Sequence, residues 1–337
     1  MGFLQGANSL ALGKIKLGSS NVDKIYLGAN AIWPDSSPPI VEDGRYQIIG
    51  GYTGNIFVSN NNGNSFTPAA YSSDWFSLGI SGTGQYLLAG TFSSSILQRS
   101  EDYGVTWNPT PYTASQTRTI SISNSGQYQV YIADGIGTNK VRISNDFGVT
   151  FLNGGLAITQ SVPDSTISAT GQYISFVTAG GPIYSSSDFG ATWQTRATSM
   201  QWNTITMTGD GQTQLATGGT SNVWISTDFG VNWNEILGTN QNNVSISISS
   251  DGTTCYKAGN PGQIFKSTDL FNTQSTLTAP GIYFVSIDTS SNGQYVLASY
   301  NGEGTSGYYI SNDFGSTFTI SSTGTDVISV AVNRLVI

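Results

Sequence analysis

Six aspartates recur along the chain, each in the same short context. Each follows a serine by two residues and precedes a threonine or asparagine by four, and all but one precede a glycine by two: Asp102, Asp146, Asp188, Asp228, Asp269 and Asp313. Carboxylates are the acids and bases of glycosidases and the ligands that calcium prefers. Acid catalysis and calcium binding must therefore be weighed against a structural role.

The motif that contains these aspartates, SxDxGxTW, indicates a turn. It occurs seven times, separated by 41, 44, 42, 40, 41 and 44 residues, with its first serine at Ser59, Ser100, Ser144, Ser186, Ser226, Ser267 and Ser311. In the first copy Asn61 replaces the aspartate, so that copy has no carboxylate. A carboxylate in such a turn accepts backbone N–H bonds, and the glycine adopts a positive φ. We therefore expect six well-separated structural aspartates.

Composition excludes several other classes of site. The chain has no histidine, and Cys255 is its only cysteine, which argues against catalytic triads and against metal sites with nitrogen or sulfur ligands. We predict no metal and no cofactor. The net charge of −8, with 12 Lys and Arg, opposes nucleic-acid binding. The first residues lack an apolar run long enough for a signal peptide or a membrane span, so we expect cytoplasmic synthesis without membrane insertion.

A second repeated element predicts the strands that position these turns. A Gly-Gln-Tyr turn, in full or degenerate form, lies 15 to 18 residues before each motif, and its glycines are Gly44, Gly84, Gly126, Gly171, Gly211, Gly252 and Gly293. Alternating apolar residues flank both turns, which predicts four antiparallel strands per repeat. Seven such repeats predict an all-β fold, a seven-bladed β-propeller. The alternating segment from Val327 to Val332 is expected to supply the innermost strand of the first blade and close the ring.

The SxDxGxTW motif resembles the Asp box, or BNR repeat, of sialidase-like propellers, over about residue 40 to the C terminus. Sialidases usually have six blades, and they use an arginine cluster, a tyrosine nucleophile with a glutamate, and an acid aspartate. None of the arginines here lies in that arginine motif, so we expect a protein that is not an enzyme. A photosystem II assembly-factor family is similar in its seven-bladed Asp-box ring, but this chain has too few cations for that family's arginine-rich face.

The N-terminal residues form a module of different character. Residues 1–34 contain three lysines and one aspartate, a net charge of +2, which leaves nine cations and nineteen anions, or −10, for the remainder. We predict a β arm over 1–34, a linker over 35–40 and the propeller over 41–337. The segment VDKIYLGANAIWP resembles short N-terminal modules of tailed-phage virion proteins. The resemblance implies a virion location, attachment of the arm to other virion proteins, and a propeller displayed for host-surface adhesion or particle decoration. The alternative for the arm is an edge hairpin packed on the propeller.

A candidate ligand site lies where the loops meet over the central channel. Alignment on the Gly-Gln-Tyr turn puts Trp75, Trp202 and Phe284 at one position, just before the innermost strand, with Tyr283 beside the last and Glu303 in a long loop. Aromatic rings stack on the apolar faces of sugars, so we predict a host-surface glycan as the ligand; packing between blades is the alternative role. Two other functions remain open. One is a surface polysaccharide glycoside hydrolase using Glu303 and Asp74, and the other is a non-viral scaffold or assembly factor.

Overall fold

The computed structural model of the chain describes residues 16–17, 20–21, 25–27, 30–33, 42–94, 96–112, 116–134, 140–218, 221–259, 261–278, 283–302, 305–322 and 326–336. The chain divides into two compact units, Met1–Val41 and Glu42–Ile337. The predicted linker, residues 35–40, lies outside the described residues. The described residues contain strands but no helix, and so no helix that could cross a membrane.

The described residues of the first unit form four short strands in two antiparallel hairpins. They are β1 (Lys16–Leu17), β2 (Ser20–Asn21), β3 (Ile25–Leu27) and β4 (Asn30–Trp33). β1 pairs with β2, and β3 pairs with β4 through a register that places Ile25 opposite Trp33. Ile25–Leu27, within the KIYLG segment, therefore form the first strand of a hairpin.

The described residues of the second unit form 28 strands, β5 to β32. The first three blades use β5 (Gln47–Gly50), β6 (Asn55–Ser59), β7 (Thr67–Ser72), β8 (Trp75–Ile80), β9 (Leu87–Thr91), β10 (Leu97–Ser100), β11 (Asn108–Pro109), β12 (Thr117–Ile122), β13 (Gln129–Ala133), β14 (Val141–Ser144) and β15 (Leu152–Asn153). The next two use β16 (Asp164–Ile167), β17 (Ile174–Val177), β18 (Ala179–Ser186), β19 (Gln194–Gln201), β20 (Thr204–Met207), β21 (Gln214–Thr217), β22 (Val223–Ser226) and β23 (Asn234–Ile236). The last strands are β24 (Asn243–Ile248), β25 (Cys255–Gly259), β26 (Gln263–Ser267), β27 (Ser275–Thr278), β28 (Tyr283–Thr289), β29 (Val296–Gly302), β30 (Thr305–Ser311), β31 (Thr319–Ser321) and β32 (Ser329–Val332).

These strands form seven four-stranded antiparallel sheets, which confirms the predicted seven-bladed propeller. Six blades consist of four consecutive strands, and the first has the order β32-β5-β6-β7. We call the strands of a blade A to D from the channel outward. The B–C and D–A connections lie on one face, the loop face; the A–B turns and the C–D turns with the SxDxGxTW motif lie on the other, the turn face.

The C-terminal strand closes the ring, as predicted. β32 pairs antiparallel with β5, with Ser329 opposite Gly50 and Val332 opposite Gln47. Closure also completes the A–B turn of the first blade, which is formed by residues from both ends of this unit. Asn333 accepts from the Tyr46 N–H through Oδ1 (2.7 Å), where in other blades a serine or threonine hydroxyl accepts the equivalent bond, for example Ser123 from Tyr128. The Asn333 carbonyl accepts from Gly44 N–H, as Ser123 O does from Gly126 N–H.

The apolar core of this unit is divided among the seven seams between neighbouring blades. Each seam contains its own cluster of buried residues. On the turn face, the tyrosine of a Gly-Gln-Tyr turn covers the glycine of the next one: a Cβ at Gly84 would lie 2.3 Å from the Tyr46 ring, and one at Gly44 would lie 2.2 Å from Tyr295. Both glycines also have positive φ, 76° and 71°. The repeated turn is therefore selected by contact between blades as well as by its own backbone.

Deleting residues 326–337 should abolish cooperative folding, because it opens the inner edge of the first blade and removes the Asn333 bonds. Asn333→Ala should be milder, lowering the free energy of unfolding by about 2–4 kcal/mol, since it removes three bonds made by a buried side chain. Thermal and denaturant unfolding measure both effects. Asn145→Ala, at an exposed asparagine, is the control and should be neutral. A truncated protein that melts at the wild-type temperature would contradict this account of closure.

Candidate functional site

The six repeated aspartates each close a C–D turn by hydrogen bonding. In the fourth copy, the Ser186 hydroxyl donates to Asp188 Oδ1 (2.8 Å), which also accepts from Thr192 N–H (2.9 Å), while Asp188 Oδ2 accepts from the Thr192 hydroxyl (2.6 Å). The same serine oxygen accepts from Gly190 N–H (2.9 Å). The other five aspartates make the equivalent bonds, with Asp102, Asp146, Asp228, Asp269 and Asp313 as acceptors.

These bonds hold the turns and leave the carboxylates unsuited to donate a proton. Hydrogen bonds from the Thr192 side chain and backbone lower the pKa of Asp188 below its usual 3.8, and the pKa values of the five other motif aspartates are lowered in the same direction. Asn61, in the first copy, makes the same pattern without a charge: it accepts from Ser59 and from Ser65 N–H, and it donates to the Ser65 hydroxyl. The hydrogen-bond geometry, more than the charge, is what the turn requires.

Asp188→Asn should therefore keep most of the stability at neutral pH, whereas Asp188→Ala should lower Tm by about 2 °C through lost hydrogen bonds. A lowered folded-state pKa contributes stability that is present above pH 3.8 and is lost as pH falls through the folded pKa. The Tm difference between wild type and Asp188→Asn should narrow from pH 7 to pH 3, measured by differential scanning calorimetry. An equal or wider difference at pH 3 would contradict this assignment.

Three of the predicted rim aromatics are buried. Trp75 and Trp202 have no exposed surface and Phe284 is 2% exposed. Each fills a seam: Trp75 between blades 1 and 2, Trp202 between blades 4 and 5, and Phe284 between blades 6 and 7. Trp202 packs edge-on against Trp224, with ring centroids 5.9 Å apart. This corrects the sugar-stacking role expected of these three residues, because a ring enclosed on both faces offers no surface to a ligand.

The other predicted ligand residues differ in position. Tyr283 is 58% exposed on the loop face at the start of β28. Glu303 lies outside the described residues. Asp74, its proposed catalytic partner, accepts hydrogen bonds from Ser93 and Ser94 in the neighbouring B–C loop. Although burial opposes the shift, these bonds lower the pKa of Asp74. Asp74 therefore links two loops by hydrogen bonds. Because its carboxyl group stays ionised, it has no proton to donate as a general acid.

A central cavity of about 370 Å³ runs between the seven A strands. A β-bulge interrupts the A strands of blades 2, 3, 6 and 7, just after Trp75, Thr117, Asn243 and Phe284. A bulge redirects a side chain, and the next residue in each of these blades lines the cavity. With their counterparts in the other three blades, these residues form a ring that we call the mouth: Phe76, Arg118, Pro163, Asn203, Val244, Val285 and Ile328. Arg118 is the one ionisable side chain in this set.

The wall below the mouth is polar, and its side chains join one blade to the next. Each A strand is the inner edge of its sheet, so it has backbone N–H groups without strand partners. Asp164 Oδ2 accepts from Ile205 N–H (3.0 Å) and Asp288 Oδ2 accepts from Val332 N–H (2.9 Å). Hydroxyls do the same elsewhere, as Ser329 does for Leu78 N–H.

Both wall carboxylates are fully engaged. Asp164 is also bonded by Thr204, Thr119 and Ser165 N–H, yet its burial outweighs these bonds and raises its pKa to about 6. Asp288 is bonded by Ser247 and paired with Arg334. These two carboxylates stabilise the wall, and neither is placed as a free acid or base.

The C-terminal residues cross the turn-face end of the cavity. Arg334 donates to the Ser247 hydroxyl in blade 6 and to the Thr289 carbonyl in blade 7. The backbone N–H of Val336 donates to the side chain of Asn124 in blade 3, and the Val336 carbonyl accepts from that side chain. The loop-face end, at the mouth, is therefore the entrance that is available to a ligand.

An aromatic and cationic cluster lies at one side of the mouth. The rings of Tyr52, Phe76 and Phe92 have centroids 5.2 to 6.4 Å apart, and Tyr52 is 42% exposed. The guanidinium carbon of Arg118 lies 5.6 Å from the centroid of Phe76 and 5.1 Å from that of Phe92. We call these four residues the mouth cluster. Cation–π contact of this kind fixes the plane of the guanidinium.

The residues predicted from the sequence lie one position before the residues that line the mouth. Alignment on the Gly-Gln-Tyr turn selected the position of Trp75 and Phe284, which turns into the seam, and the bulge delivers the following residue to the mouth. A bulge leaves no distinct pattern in a single sequence.

Neither a family model nor a curated protein matches the sequence. Among solved structures, the chain is similar to YCF48 bound to a D1 peptide, with a TM-score of 0.55 and 16% identity over 73% of this chain and 81% of that one. It is similar to YCF48 from Cyanidioschyzon merolae, with a TM-score of 0.55 and 14% identity over 75% and 86% of the two chains. It is also similar to an ancestral GH74 enzyme, with a TM-score of 0.55 and 13% identity over 72% of this chain and 37% of that one. At these identities the likeness shows the β-propeller fold alone.

Proposed function

We propose that this protein is a non-enzymatic virion protein of a tailed phage, attached to the particle through its N-terminal arm and displaying the propeller for adhesion to a host-surface glycan. The structure of the loop face is the observation that supports a binding role. There the mouth opens into the cavity beside exposed tyrosines, while the described carboxylates of the wall are saturated with hydrogen bonds. Hydrolysis of a glycosidic bond needs two available carboxyl groups roughly 5 to 10 Å apart, whereas adhesion needs shape and stacking.

The virion role is supported by two features of the N-terminal segment. It carries the segment that resembles phage virion modules, and it forms a compact unit of its own, Met1–Val41. Its two hairpins are too small to be stable alone, so they need a partner surface. We assign that surface to another virion protein. In the Asp-box interpretation, the seven C–D turns are structural repeats and the loop face is the displayed surface.

The full-length protein should be retained on at least one bacterial surface polysaccharide without shortening it. Tyr52→Ala and Tyr283→Ala should each weaken retention about 5- to 10-fold, since loss of a stacked ring costs roughly 1 kcal/mol. Val105→Ala is the matched control, because Val105 is 76% exposed and lies in a turn-face motif. Retention on glycan-coated sensors and chromatography of the glycan measure the two outcomes. Shortened glycan would favour the hydrolase alternative, and no retention on any glycan would contradict adhesion.

Virus particles purified from a host that produces this chain should contain it as a structural component. Mass spectrometry of gradient-purified particles measures its abundance relative to the other particle proteins. Substituting Ile25 and Trp33, which are paired in the backbone register of the second hairpin, with aspartate should remove the protein from the particle, because two apolar residues of the arm become charged. The propeller should keep its melting temperature in that variant. A chain that is abundant in the cell but absent from the particle would contradict the virion role and favour a scaffold or assembly factor.

A further inference from the structure

Arg118 is held in a fixed orientation at the mouth with part of its guanidinium unused. Its Nε donates to Asp134 Oδ2 (2.6 Å), and its plane lies against Phe76 and Phe92. Within the part of the chain that the structure describes, its two terminal nitrogens have no hydrogen-bond partner. The side chain lines the cavity and is 27% exposed. A guanidinium positioned in this way is organised to receive two oxygen atoms from a ligand.

Arg118 belongs to a linked group of two cations and one carboxylate. Asp134 is shared by Arg118 and by Lys140 Nζ, at 3.1 Å, so the three groups together carry a charge of +1. Lys140 is buried and also donates to the Thr159 and Gln160 carbonyls, so its role is to support Asp134. Burial of Asp134 opposes ionisation, but bonds from Arg118, Ser161 and Lys140 outweigh it and lower the pKa of that carboxyl. The carboxylate therefore remains charged and keeps Arg118 oriented.

The rest of the mouth is mostly apolar. Five of its seven residues are Phe76, Pro163, Val244, Val285 and Ile328, and Tyr52 adds an exposed ring beside Phe76. A ligand matched to this surface has one anionic group next to a flat, weakly polar face. The net charge of −8 disfavours an extended polyanion but not a single charge placed on Arg118.

We propose that the mouth recognises a carboxylate-bearing sugar residue, with the carboxylate paired bidentately to Arg118 and the sugar ring stacked on Tyr52. The inference rests on the proposed glycan adhesion and names the class of sugar that the site selects. A neutral sugar leaves the guanidinium without an acceptor, so the carboxylate is the source of specificity.

The test compares immobilised bacterial polysaccharides that carry a single acidic sugar in each repeating unit, so that their charges are widely spaced, with the same polymers after chemical reduction of their carboxyl groups. The full-length wild-type protein should bind the acidic form of at least one polymer about 10- to 100-fold more tightly than its reduced form. Arg118→Gln should lose that preference. Arg118→Lys, which keeps the charge but loses the planar fork, should lose most of it. Arg99→Gln is the matched control, because Arg99 is paired with Glu101 beside a turn-face motif and should behave as wild type.

Circular dichroism melting of each variant separates lost recognition from lost folding, and Arg118→Lys carries the test if Arg118→Gln does not fold. Equal binding of the acidic and reduced forms, unchanged in folded Arg118 variants, would overturn the inference and leave glycan adhesion intact. No retention of any polymer would instead reject adhesion itself. Retention of a peptide with a free C-terminal carboxylate, lost in Arg118→Lys, but of no glycan, would overturn the inference and assign the mouth to a protein partner.

Discussion

Every contact in this propeller depends on closing the ring. A blade has an apolar surface on both faces, and only a neighbour on each side covers them. The last seam, between blades 7 and 1, is completed by residues 327–332, whose Val327, Val330 and Val332 join a buried cluster with Ile49 and Leu297. The A–B turn of blade 1 has the same hydrogen bonds as the A–B turns of the other blades but uses a different side chain. The Asn333 amide oxygen replaces a serine or threonine hydroxyl, and its amide nitrogen donates a further bond to the Gly82 carbonyl of blade 2 (2.9 Å).

The turn face extends this closure into a circle of hydrogen bonds. Backbone bonds connect the A–B turns of consecutive blades from blade 2 to blade 7, through Thr83, Asn124, Ala169, Gly209, Asp251 and Ser291. Side chains complete the circle where the chain is interrupted, since Asp43 accepts from Ser291 N–H (2.7 Å) and Asn333 reaches blade 2. The polar wall of the cavity likewise uses aspartates as connectors, so carboxylates there are not evidence of catalysis.

The side chains that the loop face presents to the mouth are determined by β-bulges, which interrupt the repeat in four of the A strands. A one-residue bulge separates a seam residue from a mouth residue, as between Trp75 and Phe76. The same departure turns Arg118 toward the cavity, where two aromatic rings and Asp134 fix it. The charge of +1 on Arg118, Lys140 and Asp134 together is opposite in sign to that of the chain as a whole, which suits the proposed recognition of a single carboxylate.

The sequence by itself determined the all-β class, the number of blades, the strand order within a blade and the closing strand, because each follows from a motif that recurs at a fixed period. It also indicated a structural use for the repeated aspartates, since Asn61 shows that a copy can lack the carboxylate. Tertiary structure decided which aromatic residues are buried and which face the mouth. Trp75 and Phe76 are adjacent in the chain, and only the bulge, set by pairing with β9 and packing against blade 1, turns one into the seam and the other toward the cavity. Arg118 acquires its orientation from Phe76, Phe92 and Asp134, which are distant in sequence, so no local pattern could have identified it.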